Sequence, residues 1–262
     1  MACRWTGLLH SEIDRCESKR RDFRATCNIR GEPLRAVMRR VDRAFLLLLM
    51  GAAVYLYVNL FSFPHIPFLL GGDQTYFWMD AQRMLDGGRI YQDFLQFTPP
   101  GTDLLYLALF KFFGLNVWVT NAMVLALGVA LCSMCFELAS EIMERRSAVL
   151  AAALFLVLVY GKLMNATHHL FSVLAILGAV KIGMRSTAVV KVLVAGALLG
   201  AASFFTQTHG VAGLLAFAVF LIWKRSRSKE PWVDVLGKEG LLFLGFMAAL
   251  LLLSAYFLAT VG

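Results

Sequence analysis

The feature that most constrains this chain is a series of apolar runs, several of which approach or exceed the roughly 18–20 residues that a helix needs to cross a bilayer. The sequence of 262 residues is 59% hydrophobic and 16% charged. Soluble globular domains are about 45–50% apolar and about 25% charged. The composition therefore argues against a soluble enzyme and against a disordered or disulfide-rich chain. It favours an all-α, multi-pass membrane protein.

We expect about seven transmembrane helices, joined by segments that carry most of the charge. The predicted spans are 44–63, 117–139, 148–161, 163–182, 187–206, 209–223 and 241–260. Basic residues cluster at 144–146, 181–191 and 224–229, and also in the first 43 residues. If these segments all face the cytoplasm, as the positive-inside rule requires, the spans alternate without exception. The sequence therefore predicts a protein of the cell (inner or plasma) membrane with a cytoplasmic N-terminus.

The chain is predicted to divide into a tail and a membrane domain. Residues 1–43 are basic and contain no apolar run, which is typical of a cytoplasmic tail or of an extension upstream of a true start at Met38. Residues 44–262 form the predicted transmembrane domain, in which 64–114 is the first extracytoplasmic loop. No folded module accompanies the charge of the tail, so we expect no nucleic-acid partner.

Two of the predicted spans, 148–161 and 209–223, are shorter than a bilayer requires. Such helices must be tilted, broken or extended by their polar flanks. Broken helices are tolerated at membrane depth where they line a cavity in the protein. We therefore expect the junctions 161–169 and 206–210 to form cavity walls.

The predicted topology places most of the chemically reactive side chains on the outer face. They are His65, His168, His169, His209, Lys162 and the loop aspartates Asp73, Asp80, Asp86, Asp93 and Asp103. Cations and carboxylates that converge at one membrane surface indicate a functional site. A loop wetted by solvent carries the same residue types, so that interpretation stays open.

The loop contains one predicted amphipathic helix between the pairs Gly71-Gly72 and Gly87-Gly88. Asp73 is predicted to cap its N-terminus, and the second glycine pair to stop it. The helical period predicts an apolar face of Phe77, Ala81, Met84 and Leu85 and a polar stripe of Asp73, Tyr76, Asp80 and Arg83. On spacing alone, a structural stripe in which Arg83 pairs with Asp80 is preferred over a reactive one.

A longer pattern surrounds this helix. It comprises Gly72-Asp73-x-x-Tyr76, Ala81, Leu85-x-Gly87, Tyr91-x-Asp93, Pro99-Pro100 and a Leu/Tyr-rich helix that ends at Phe113-Gly114. The pattern resembles the first outer loop of the polytopic glycosyltransferases of GT-C fold, which include protein O-mannosyltransferases and lipid A aminoarabinose transferases. A weaker likeness lies at Thr206-Gln207-x-His209-Gly210. The chain departs from the family at Gln74, where relatives commonly have Glu. The resemblance covers the N-terminal portion of the family, whose C-terminal half we expect to be missing.

The resemblance implies a membrane glycosyltransferase that moves a sugar from a polyprenyl-phosphate donor to an acceptor hydroxyl on a lipid, glycan or protein. In that role Asp73 would take the acceptor proton as general base. The departing phosphate would need cationic or hydrogen-bonding groups, and Lys162 with the pair His168-His169 is one candidate set. A wet helix end capped by residues 165–167 explains that pair equally well. The residues implied in substrate binding are Tyr76, Asp80, Arg83, Tyr91, Asp93, Lys162, His168, His169, Gln207 and His209.

The sequence leaves alternatives open for both the cofactor and the function. A divalent metal held by Asp73 and a histidine is an option, although no ligand spacing is diagnostic of one. A degenerate or truncated family member could act as a non-catalytic membrane partner or scaffold. A transporter is the third alternative, but it would need internal repeats or paired polar residues at mid-span. Glu137 and Glu141, near one end of a predicted span, are the nearest approach to such a pair.

Overall fold

A computed structural model describes residues 43–62, 65–69, 71–228 and 231–260. The predicted tail before Arg43, with Met38, lies outside the described residues. The chain divides into two units, Met1–Leu47 and Leu48–Gly262, and the contacts described below lie in the second. The elements are α1 (Arg43–Leu60), β1 (Phe61–Ser62), β2 (Ile66–Pro67), α2 (Asp73–Leu85), α3 (Gly101–Phe113), α4 (Val117–Ala139), α5 (Arg145–Leu154), a π-helical segment (Phe155–Tyr160), α6 (Gly161–Leu163), α7 (His168–Arg185), α8 (Val189–Phe205), α9 (Gln207–Ser228) and α10 (Trp232–Thr260).

The described part is almost entirely helical, which confirms the predicted all-α class apart from a two-stranded antiparallel ladder between β1 and β2. Among the described residues, five helices are long and apolar enough to cross a membrane, namely Arg43–Leu60, Val117–Ala139, Arg145–Leu163, Gln207–Arg227 and Trp232–Ala255. α7 and α8 lie at the two remaining predicted span positions, and α8 is a shorter apolar helix. These helices support the interpretation as a membrane protein.

The two short predicted spans are lengthened by their flanks, and one is also distorted. The first forms continuous helix over Arg145–Leu163, in which six residues are π-helical. The buried Tyr160 in that segment donates its hydroxyl to the carbonyl oxygen of Val124 on α4 at 2.6 Å. Its ring lies against Gly128, where a Cβ atom would collide with it. The missing side chain at Gly128 therefore admits the tyrosine between the helices.

Helices α7 to α10 share one hydrophobic core, in which α8 and α10 pack closely. The core consists of Ala179, Val192, Ala195, Leu199, Phe217, Leu221, Leu242 and Phe246. Gly200 on α8 lies against the carbonyl oxygen of Phe246 on α10, and Gly245 on α10 lies against the carbonyl oxygen of Leu193 on α8. Small residues let helix backbones approach in this way where no water is available to drive association.

Helix α2, in the loop between the first two predicted spans, begins one residue earlier than an N-cap at Asp73 would require. Gly72, with φ of 72°, is the cap residue, and no side chain caps the helix, so the predicted N-cap role of Asp73 is wrong. The positive φ is the reason, because a glycine adopts it without steric cost. The predicted apolar face is confirmed at Phe77, Ala81 and Met84, which are buried, whereas its fourth member, Leu85, is half-buried. The predicted stop is confirmed as well, with the helix ending at Leu85 before the left-handed Gly87.

Helix α3 follows Pro100 and packs against α2 and the membrane helices. Its first residue, Gly101, lies so close to α8 that a Cβ atom would stand 2.6 Å from the carbonyl oxygen of Phe204. The hydroxyl of the buried Tyr106 donates to the carbonyl oxygen of Ala166 at 3.1 Å. These contacts fix α3, and with it the loop that precedes it, against the segment leading into α7.

Candidate functional site

The first residues of α2 and α7 meet at a cavity of about 430 Å³. Its lining residues are Gly72, Asp73, Tyr76, Phe77, Gln96, Phe97, Thr98 and His168. Asp73 is exposed, whereas His168 is half-buried and packs edge-on to the ring of Phe77 at 5.5 Å between centroids. The N-terminus of a helix carries positive partial charge and free N–H groups. Two such ends at one cavity make an environment suited to an anionic group.

The approach of α7 to α2 depends on Gln74. This side chain is 2% exposed, and its Oε1 accepts a hydrogen bond from the backbone N–H of Ala166 at 3.1 Å. Ala166 is thus held through its N–H by α2 and through its carbonyl by Tyr106 of α3. The position where the resembling family commonly has Glu therefore has a structural role here, placing the residue two before His168.

Three histidine rings form a row beginning at the cavity wall. The ring centroids of His168 and His169 lie 3.9 Å apart, and those of His169 and His209 5.2 Å apart. Nδ1 of His209 lies 2.7 Å from Oγ of Ser172, whose hydroxyl donates to the carbonyl oxygen of His169. A hydroxyl has one proton to donate, so Nδ1 of His209 is the donor in its contact with Ser172.

His168 has an unsatisfied polar atom at this site. Its Nδ1 is buried and has no hydrogen-bond partner among the described residues. A buried polar atom left unpaired costs about 1–3 kcal/mol. A ligand group that reaches this nitrogen would recover that free energy, which makes His168 the best-supported binding residue of the row.

A buried carboxyl pair stands behind the cavity wall, and Gln96 joins its two members. Nε2 of Gln96 lies 3.1 Å from Asp80 Oδ2 and 3.1 Å from Asp103 Oδ1. The other oxygen of Asp80 accepts from Arg83 at 3.0 Å. Burial raises the pKa of Asp103 to about 7, and the nearby charge of Asp80 adds to that rise, against the hydrogen bond from Gln96. Burial also raises the pKa of Asp80, against the attraction of Arg83.

Gln96 and the pairing of Asp103 are not predicted from the sequence. The sequence identifies Asp103 as a loop acid without a role at the site. One signal could have found it, because its carboxyl group opens the otherwise apolar run Leu104–Phe110 of α3, where an unpaired charge is costly. For Gln96 the sequence offers no such signal, since an amide in a loop is ordinary.

Four of the predicted binding residues make contacts with or within the loop that follows α2. The hydroxyl of Tyr76 donates to the carbonyl of Leu95 at 3.3 Å, and that of Tyr91 to the carbonyl of Thr98 at 2.6 Å. Oδ2 of Asp93 accepts from the backbone N–H of Arg89 at 2.8 Å. Arg83, besides pairing with Asp80, lies over the ring of Phe94 at 5.6 Å. The structural interpretation of the polar stripe, in which Arg83 pairs with Asp80, is therefore confirmed. Of these four residues, Tyr76 lines the cavity.

The remaining predicted residues lie away from the cavity lining. Lys162 is exposed on α6, at the end of the distorted helix, and Gln207 is the exposed first residue of α9. The structure thus brings Asp73, Tyr76 and His168 together at the cavity, with His169 and His209 adjoining through the ring row. It leaves Lys162, Gln207, Tyr91 and Asp93 outside that lining.

The arrangement offers a solvent-accessible carboxylate and one imidazole at the cavity, with two further imidazoles adjoining through the ring row. Within the ranges that the structure describes, no three His, Cys, Asp or Glu side chains are grouped so that they could hold a metal ion. Proton transfer and hydrogen bonding to an anion are the chemistry that these side chains support. Comparisons with protein-family models, curated proteins and solved structures found no match to this chain.

Proposed function

We propose that the chain is a membrane glycosyltransferase that moves a sugar from a polyprenyl-phosphate donor to an acceptor hydroxyl on the outer face of the membrane. The observation that carries the proposal is that Asp73 and His168, which are far apart in the sequence, line one cavity. An accessible carboxylate and a half-buried imidazole with an unsatisfied nitrogen are the two groups that such a transfer needs. The resemblance of residues 72–114 to the outer loop of GT-C enzymes supplies the reaction class.

In the proposed reaction, Asp73 acts on the acceptor as general base. The acceptor oxygen attacks the anomeric carbon of the sugar, its proton passes to the Asp73 carboxylate, and the bond from that carbon to the phosphate oxygen breaks. General-base help of this kind is worth about 10²–10⁴-fold in rate. Polyprenyl phosphate leaves with the bonding electron pair.

The row of histidines is proposed to receive the leaving phosphate. His168 lies at the cavity, and His169 and His209 continue the row. The N-termini of α2 and α7 add positive partial charge at the same place. Negative charge grows on the phosphate as the bond breaks, so donors fixed in advance stabilise the transition state more than the ground state.

The proposed orientation follows the predicted topology. Seven membrane crossings, with α7 and α8 among them, would place residues 64–114 and the N-terminus of α7 on the outer side. The basic ends of α7 and α9, at Arg185 and Arg227, then face the cytoplasm together. This distribution satisfies the positive-inside rule, which is the support for the assignment.

The test is the variant Asp73→Asn, which keeps the size of the side chain and removes its basicity. We expect release of polyprenyl phosphate from synthetic polyprenyl-phosphate hexoses and pentoses, with a membrane lipid extract as acceptor, to fall by about 10²–10⁴-fold. The matched control is Asp86→Asn, at the exposed C-terminal cap of the same helix. Full activity of a correctly inserted Asp73→Asn protein would contradict the proposal.

One observation favours a non-catalytic membrane partner as the second candidate. Arg83, Tyr76, Tyr91 and Asp93 are all engaged in contacts within the loop, as a purely structural loop would have them. This candidate predicts that the purified wild-type protein turns over none of the donors. The transporter alternative gains no support, because the ion pairs of Glu137 with Lys181 and Glu141 with Arg185 lie near the C-terminal ends of α4 and α7 and not at mid-span.

A further inference from the structure

An apolar cleft of about 890 Å³ runs between α4, α7 and α8. One end is closed by Phe171 and Phe205, whose rings stack at 5.1 Å between centroids. Its walls are small and aliphatic side chains, and the volume falls within the about 300–1,000 Å³ typical of ligand sites. The cleft is therefore an apolar space that the acyl chains of lipids would fill in a bilayer.

The other end of the cleft is basic. Lys181, Arg185 and Lys191 all belong to its lining. Glu137 pairs with Lys181, and Oε1 of Glu141 lies 2.9 Å from Nε of Arg185. Lys191 is exposed and forms no ion pair within the described part of the chain. Two carboxylates against three cations leave a net positive charge at the mouth of the cleft, and Arg185 keeps its terminal nitrogens as further donors.

This basic end is separate from the candidate active site. His168 and Arg185 are the first and last residues of α7, so the two ends of the helix lie about 25 Å apart at 1.5 Å per residue. A phosphate at Arg185 therefore cannot be the phosphate of a donor whose sugar lies beside Asp73. Any ligand at the basic end occupies a second site.

We propose that the cleft binds an anionic glycerophospholipid, with its acyl chains between α4, α7 and α8 and its phosphate at Lys181, Arg185 and Lys191. A phosphodiester carries a single negative charge, which complements the net charge of the mouth. Anionic lipids are enriched in the cytoplasmic leaflet, and basic pockets between membrane helices on that side bind their headgroups. An apolar helix from another protein would fill the walls but leave the cationic mouth uncompensated. The inference uses the predicted orientation and is independent of the proposed function.

The test compares lipid retention by the full-length protein in detergent. Wild type and Lys191→Gln are exposed to equal amounts of phosphatidylglycerol and phosphatidylcholine with identical acyl chains, and the bound lipid is counted by native mass spectrometry. We expect wild type to prefer phosphatidylglycerol, and Lys191→Gln to weaken that preference by about fivefold, the effect of one cation near an anionic lipid. Lys111→Gln, an exposed lysine at the end of α3, is the matched control. Ala175→Phe, which fills the cleft from α7, is expected to reduce retention of both lipids.

Several results would overturn the inference. Equal retention of the two lipids by wild type, or an unchanged preference in Lys191→Gln, would remove the charge-specific site. Thermal stabilisation by inorganic phosphate equal to that by phosphatidylglycerol would show an anion site without a lipid. Lipid-free dimers in the same spectra, lost in Ala175→Phe, would show that a second copy of the chain occupies the cleft.

Discussion

At the scale of single residues, the buried pair of Asp80 and Asp103 determines how the net charge of the loop around α2 changes with pH. Both side chains are fully buried, and one amide, that of Gln96, bridges them. Two negative charges this close repel each other strongly, so below about pH 7 the pair keeps one proton. With a pKa of about 7, Asp103 is the member that holds it in mildly acidic solution.

The pH dependence of stability follows from that proton. An unfolded Asp has a pKa of about 3.9, so between pH 4 and 7 the folded state binds more protons than the unfolded state. The free energy of unfolding should therefore fall as pH rises across this window, by on the order of 1–4 kcal/mol, and level off above pH 7. Asn at position 103 accepts the same hydrogen bond without a charge to titrate. We expect Asp103→Asn to flatten the decline, measured as the thermal midpoint at pH 5 and pH 8.

The control for this experiment is Asp86→Asn, whose side chain is exposed at the end of α2. It should keep the wild-type pH profile. If the thermal midpoint of Asp103→Asn fell between pH 5 and pH 8 as steeply as that of wild type, the titrating group would be another residue. The pairing of Asp80 with Asp103 would then not determine the pH dependence of stability.

At the scale of elements, close helix contacts depend on positions without side chains. A Cβ atom at Gly200 would collide with the carbonyl oxygen of Phe246, and backbone cannot move aside as the end of a flexible side chain can. We expect Gly200→Leu to destabilise the protein by about 1–3 kcal/mol or more, because overpacking costs that much even where the core adjusts. The measurement is the thermal midpoint in detergent. Gly237→Leu, in a position of α10 with nothing within 4 Å, is the matched control and should show no such loss, since Leu favours helix more than Gly does. An equal loss in both variants would show that the contact between Gly200 and Phe246 is not the cause.

The elements also show what the sequence could predict. The helical period of Phe77, Ala81 and Met84 identified the buried face of α2, because that face depends on local spacing alone. The π-helical turn before Gly161 was not predictable in detail, because it depends on how Tyr160 fits against Gly128 of another helix. The meeting of Asp73 with His168 had only an indirect signal, the short spans that pointed to cavity walls at 161–169. Contacts between distant segments, such as Gln74 with Ala166, have no counterpart in local pattern.

At the scale of the whole molecule, the proposals depend on which side of the membrane each end of α7 faces. The candidate active site lies at its N-terminus and the basic mouth of the cleft at its C-terminus. Short basic segments are held on the cytoplasmic side during insertion. A single orientation would therefore place the proposed sugar-transfer site outside and the proposed anionic-lipid site inside, and reversal of that orientation would move both.

Accessibility labelling decides between the two orientations. The test uses a chain whose five cysteines are replaced by serine. A new cysteine at Gln92, exposed in the loop between α2 and α3, should react with a membrane-impermeant maleimide in intact cells. A new cysteine at Ser226, exposed at the basic end of α9, should react only after the membrane is permeabilised. The physical reason is that the basic clusters and the acidic loop are separated by an odd number of crossings in the proposed topology. Labelling of Ser226→Cys in intact cells, with Gln92→Cys protected, would place Asp73 on the cytoplasmic side, where an outer-leaflet donor could not reach it.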